Sequence, residues 1–133
     1  YLTDAFFVFN ADILSNINFS EMLRYHKNKK AAVTIAVTRV DNPSAYGVIE
    51  YDENGYASSF REKPSPAEVV SHFINAGVYI FEPEILAQIP AGRPVSIEKE
   101  VFPQLLKDKQ KVAIYNGCNY WLIRFNYCRK SFV

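Results

Sequence analysis

The chain has little sulfur, almost no net charge and no long apolar run, and each shortage excludes something. Cys118 and Cys128 are its only two cysteines. With no second pair and no histidine beside them, they offer neither a zinc site nor a disulfide framework, so the reducing cytoplasm is the expected compartment. No apolar stretch approaches the ~20 residues of a membrane span. A formal charge of +1 over 133 residues provides no global attraction to nucleic acid or to an anionic membrane, and neither is an expected partner. The one tight cationic cluster, Lys27, Lys29 and Lys30, reads as a solvated helix end whose charge favours the helix dipole. Repeats, low-complexity tracts and internal linkers are also missing. The opening Tyr1-Leu2-Thr3-Asp4 is neither an initiator methionine nor a signal peptide, so the expectation is that something has been removed upstream.

What is present is an ordinary globular composition, 49% apolar and 22% charged. Ala5 to Phe9 is a continuous apolar run, the pattern of a strand covered on both faces. Asn18 stands three residues before Glu21, an N-cap with its capping-box partner, and predicts a helix ending near Lys29 or Lys30. Ala31 to Val40 is rich in β-branched residues and reads as a second buried strand. Strand, helix and strand in this order predict a βαβ unit with its strands paired in parallel. Tyr46 to Tyr51 and Tyr56 to Glu62 read as a hairpin turned at Asn54-Gly55. Phe73 to Phe81 is a further strand, Pro83 opens a short helix through Gln88, and Ser96 caps a helix from Ile97 to about Lys107. Val112 to Tyr115 and Tyr120 to Ile123 close the pattern, which is α/β with an inserted hairpin.

Ligands of open α/β sheets bind beyond the carboxyl ends of the strands. Asp12 lies there, where a carboxylate can bind a hard cation such as Mg²⁺ or simply cap a turn. Glu62-Lys63-Pro64 ends a strand; its lysine suits a phosphate monoester and its glutamate suits sugar hydroxyls, while a surface charge pair remains the plainer alternative. Asn75-Ala76-Gly77 interrupts an apolar strand, either as a structural bulge or as a ligand site. Gly47, after Tyr46, admits a ligand near its amide or marks a kink at strand entry. His26 reads as a helix-face residue and His72 as a loop residue, and Ser96 as a cap with no triad partners.

Taken in order, "FFVFNADIL", "DNPSAYGVIEYDENG", "FREKP", "FINAGVYIFEPEIL", "PVSIEKEVFPQLL" and "YWL" resemble the sugar-1-phosphate nucleotidyltransferase family. The likeness spans Phe6 to Leu122 and is greatest to the mannose-1-phosphate guanylyltransferase and glucose-1-phosphate thymidylyltransferase branches. It implies a Rossmann-like mixed sheet with helices on both faces. It also implies a reaction in which a hexose 1-phosphate attacks the α-phosphorus of an NTP, GTP or dTTP, and pyrophosphate leaves. By the same resemblance Asp12 is the metal-binding aspartate for Mg²⁺, Lys63 binds the sugar phosphate, Glu62 grips sugar hydroxyls, and Asn75 and the Gly47 backbone are further sugar contacts. The motif "PVSIEKEVFP" tilts the sugar toward mannose.

Three departures accompany the resemblance. Ala11 stands where the family has glycine before the metal aspartate. The family's G-x-G-T-R loop and its following lysine are absent, and would lie upstream of Tyr1. Where the family reads W-x-D-I-G, Trp121 is followed by Leu122-Ile123-Arg124, with no aspartate up to Val133. The expectation is therefore an N-terminally truncated nucleotidyltransferase domain over 1–123 with an atypical tail over 124–133. Such a chain is expected to be inactive alone; the competing reading is a non-catalytic sugar-phosphate-binding or regulatory homologue. Oligomeric state is left open.

Overall fold

The computed structural model describes residues 2–123. The atypical tail expected over 124–133, and Cys128 with it, lie outside the described residues. The strands are β1 (Phe6–Phe9), β2 (Ile13–Ser15), β3 (Val33–Arg39), β4 (Gly47–Tyr51), β5 (Ala57–Glu62), β6 (Phe73–Phe81), β7 (Val112–Tyr115) and β8 (Trp121–Ile123). The α-helices are α1 (Phe19–Lys29) and α2 (Phe102–Lys107).

The main sheet runs β5-β4-β6-β3-β7, and β1 also pairs with β6. Alternation along the strands sends side chains to two cores. Val33, Ile35, Val37, Tyr79 and Phe81 pack beneath Phe102 and Leu105 of α2. Ala36, Val78 and Ile80 pack with Met22 of α1. Helices thus cover both faces, the layered solution for a sheet apolar on both sides.

The strands expected to pair in parallel do not touch. Both β1 and β3 run antiparallel to β6, so they are parallel to each other but separated by it. The nine-residue β6, buried from Ile74 to Phe81, takes the central position that β3 was expected to offer β1. The parallel neighbour of β3 is instead β7.

Local signals read well elsewhere. Asn18 Oδ1 accepts from the Glu21 amide at 3.1 Å, capping α1, but the expected capping box is not completed, and the Glu21 carboxylate accepts from Tyr115 Oη at 3.2 Å instead. The hairpin turn closes at Asp52, whose carbonyl accepts from the Gly55 amide at 2.9 Å. The helix expected from Ile97 begins as a widened turn over Ile97–Val101, with amides bonding five residues back, and becomes α-helical only from Phe102. In a regular helix the ring of Pro103 would collide with the Lys99 carbonyl, and the wider turn relieves that. The short β2, which pairs antiparallel with β8, was not expected from the sequence. No helix of the described residues is long and apolar enough to cross a membrane.

Candidate active site

On the edge of β6 away from β3, two strands share the available length. β1 ends with Phe9 opposite Val78, and β4 pairs with β6 through Val48 opposite Ile74. Asn75-Ala76-Gly77 lies between, without a strand partner on that edge. Its carbonyls are met from outside the ladder: Gly77 O accepts from the Asn10 amide at 2.9 Å, and Ala76 O from Trp121 Nε1 at 3.0 Å. Gly77 has φ +73°, and a Cβ there would stand 2.0 Å from Ile13 Cδ1, so only glycine allows the bulge and the close approach of β2.

A cavity of about 450 Å³ opens at this gap, enough for a small polar ligand. All five residues singled out from the sequence line it: Asp12 from the turn after β1, Gly47 from the start of β4, Glu62 and Lys63 from the end of β5, and Asn75 from β6. Among the described residues that line it, Lys63 is the only cation, against the carboxylates of Asp12, Glu62 and Glu98. Lys63 has φ +46°, a left-handed conformation unusual for a side-chain-bearing residue, and its amide donates to Tyr46 O at 3.0 Å. The bend turns the chain sharply at the cavity, where Pro64 is buried and Lys63 is exposed.

Glu62 Oε2 is buried and has no hydrogen-bond partner. Burial first, and then the charge of Glu98, push its carboxyl above the ordinary glutamate value, against the pull of Lys63 and Lys99. A buried oxygen left in this condition is costly unless something else satisfies it.

Asn75, only 7% exposed, is tied inward. Its Nδ2 donates to Tyr79 Oη at 2.7 Å and to Glu98 Oε1 at 2.6 Å, and its Oδ1 accepts from the Gly77 amide at 2.9 Å. Tyr79 Oη in turn donates to Glu98 Oε1 at 3.3 Å. Burial raises the Tyr79 phenol well above its usual range, so the hydroxyl keeps its proton as a donor.

Among the described residues no group of three or more histidine, cysteine, aspartate or glutamate side chains could hold a metal ion. Asp12 is the exposed carboxylate after β1. One carboxylate does not build an all-protein metal site. It does suit Mg²⁺, which commonly takes one or two carboxylates and completes its shell with phosphate oxygens and water.

Sequence reasoning missed Asn10, Tyr79 and Glu98. Glu98 reads as a first-turn acid favouring the helix dipole, and no local signal marks it as a cavity residue. His26, expected on a helix face, is fully buried, with Nδ1 2.7 Å from Thr34 Oγ1 and Nε2 3.0 Å from Glu82 Oε1. It does not line this cavity.

Known proteins agree with this architecture. A Nucleotidyl transferase family profile matches residues 2–122. The chain is 45% identical over 112 residues to the mannose-1-phosphate guanylyltransferase catalytic subunit beta of Drosophila melanogaster, covering 84% of this chain and 30% of that protein. It is 40% identical over 119 residues to the mannose-1-phosphate guanylyltransferase of Mycobacterium tuberculosis, covering 89% of this chain and 33% of that protein. The chain thus spans about a third of the length of these curated relatives. The crystal structure of HddC from Yersinia pseudotuberculosis shares the fold with a TM-score of 0.72 at 20% identity, over 90% of this chain and 49% of that one. The profile match over nearly the whole chain, together with these relatives, makes the chain a member of the nucleotidyl transferase family.

Proposed function

We propose that this chain forms the hexose-1-phosphate side of a cytoplasmic enzyme that joins a hexose 1-phosphate, mannose 1-phosphate by preference, to an NTP and releases pyrophosphate. The observation that carries the reading is the convergence on one cavity of the cation Lys63 with Asp12, Glu62 and the Gly47 backbone. The names of the relatives favour mannose and GTP; dTTP is the other nucleotide compatible with the family.

In this reading Lys63 pairs with the sugar phosphate and fixes its oxygen for in-line attack on the α-phosphorus. Glu62 accepts from ring hydroxyls, and the Gly47 backbone lines the ring's path. Asp12 holds Mg²⁺, whose contribution when bound is to neutralise phosphate charge. Phosphoryl chemistry of this kind depends on positioning and charge neutralisation more than on covalent catalysis. The 133 residues contain no Gly-x-Gly-Thr-Arg loop, whose amides would hold the triphosphate, so turnover by this chain alone is not expected. The alternative, a sugar-phosphate-binding homologue without catalysis, is favoured by one observation: no aspartate follows Trp121.

Calorimetric titration of the chain with mannose 1-phosphate tests the reading. Saturable binding is expected, weakened roughly tenfold to a hundredfold in Lys63→Ala, the usual loss for a hydrogen bond to a charged group. Absence of binding, or binding indifferent to Lys63→Ala, overturns it. Pyrophosphate release from GTP or dTTP, lost in Asp12→Ala, would show that these residues suffice for catalysis.

A further inference from the structure

The network behind the cavity wall points past Asn75 to Glu98. Both amide hydrogens of Asn75 are consumed inside the protein, one by Tyr79 and one by Glu98, and its oxygen already accepts from the Gly77 amide. The assignment of nitrogen and oxygen is fixed by these partners, because the Gly77 N–H requires an acceptor and the Glu98 carboxylate requires a donor. Asn75 therefore has no hydrogen to offer a ligand. What it does is hold Glu98 in place.

Glu98 is held by one oxygen only. Its Oε1 accepts from Asn75 and Tyr79, while its Oε2 makes no protein hydrogen bond among the described residues, and the side chain lines the cavity. Glu62 lines the same cavity and also has an oxygen without a partner, Oε2, which is buried beside Gly47. The two carboxylates are close enough for the charge of Glu98 to act on Glu62. An ionised carboxylate only accepts. A neutral ligand end that meets these carboxylates brings hydrogen-bond donors and no negative charge of its own.

We propose that Glu98 is a second hydroxyl-reading residue of the acceptor site, its Oε2 accepting from a ring hydroxyl of the sugar while Asn75 and Tyr79 fix its Oε1. This rests on the cavity being a hexose-1-phosphate site, and it assigns the two ends of that ligand. The phosphate goes to Lys63, and the ring hydroxyls go to an acceptor pair formed by Glu62 and Glu98.

Deoxyfluoro sugars separate this role from a structural one, because fluorine can accept but cannot donate. The chain is titrated with mannose 1-phosphate and with its 2-, 3-, 4- and 6-deoxyfluoro analogues, in wild-type and E98Q forms. In the wild type at least two analogues are expected to bind roughly tenfold or more weakly, the loss of a donor to a charged acceptor. In E98Q the side chain can keep its bonds to Asn75 and Tyr79 and present an N–H in place of Oε2. The penalty at one ring position should then collapse to within roughly threefold, while the others persist. If E98Q binds mannose 1-phosphate but every fluorine penalty is unchanged, the assignment of Glu98 is overturned and the hexose-phosphate reading stands. If the wild type does not bind mannose 1-phosphate at all, both fall. If E98Q does not fold, a crystal structure of the wild-type chain with mannose 1-phosphate decides: a ring hydroxyl within hydrogen-bond distance of Glu98 Oε2 supports the proposal, and its absence overturns it.

Discussion

Gly47 and Glu62 face each other at the first rung of the β4–β5 ladder, and a Cβ on Gly47 would stand 3.0 Å from the unpartnered Oε2 of Glu62. The same Cβ would meet Phe60 Cζ at 2.9 Å, and that ring packs edge-on against Phe102 with centroids 5.4 Å apart. The carboxylate can swing aside, but the ring is held by the core. Gly47→Ala should therefore destabilise the chain by about 1–3 kcal/mol, as overpacking does. It should also weaken hexose 1-phosphate binding by displacing Glu62. Urea denaturation and calorimetry on one preparation check both; unchanged stability would show that the wall yields freely.

Lys63 combines a charge with a strained backbone, and two substitutions separate them. Lys63→Ala and Lys63→Gly should lose phosphate affinity equally, since each removes the ammonium. They should differ in stability. A left-handed conformation costs a residue bearing Cβ about 1–2 kcal/mol, partly offset by the larger unfolded-state entropy of glycine. Lys63→Gly is expected to be more stable than Lys63→Ala by up to about 1 kcal/mol. A less stable glycine variant would mean that the φ of +46° is not maintained in solution.

The raised carboxyl of Glu62 gives a pH dependence of definite sign. Because the folded chain holds this proton more tightly than the unfolded chain, ionisation opposes folding. Stability from this group should fall as pH rises from the ordinary glutamate value up through the raised folded value, and stay level above it. Glu62→Gln removes that slope. The stability of Glu62→Gln relative to wild type should therefore grow across this acidic window and be constant at neutral pH. Urea denaturation at stepped pH measures it, and a difference that shrinks with rising pH would contradict the burial and Glu98 repulsion proposed as its cause.

His26 joins α1 to the sheet and to Glu82 without touching the site. His26→Leu keeps bulk but strands the Thr34 hydroxyl, which is fully buried, at an expected cost of about 1–3 kcal/mol. Adding Thr34→Val removes the stranded group, so the double variant should be less destabilised than the sum of the singles. Strict additivity in chemical denaturation would show that the two side chains are not coupled.

Much of this fold is legible in the sequence because its signals are local. Asn18 with Glu21 caps α1 by a contact three residues long, and Asn54-Gly55 turns the hairpin within the turn itself. The misplaced neighbour of β1 has a different origin. Apolar strands declare burial but not which partner buries them, and the length of β6 decided the order. The site divides the same way. Asp12, Gly47, Glu62, Lys63 and Asn75 stand in recognisable motifs. Glu98 reaches the cavity from a turn widened ahead of Pro103, and Asn75 is turned inward by a partner 23 residues away, neither of which any spacing in the sequence expresses.

The gap between β1 and β4 also makes ligand binding a report on the whole domain. Its walls are brought together through β6 from segments as distant as Asn10 and Trp121, so no contiguous stretch of chain holds the whole site. A ligand that needs every wall binds only molecules in which these long-range pairings are complete. By mass action it should raise the free energy of global unfolding and slow hydrogen exchange at β6 as much as at the site's own loops.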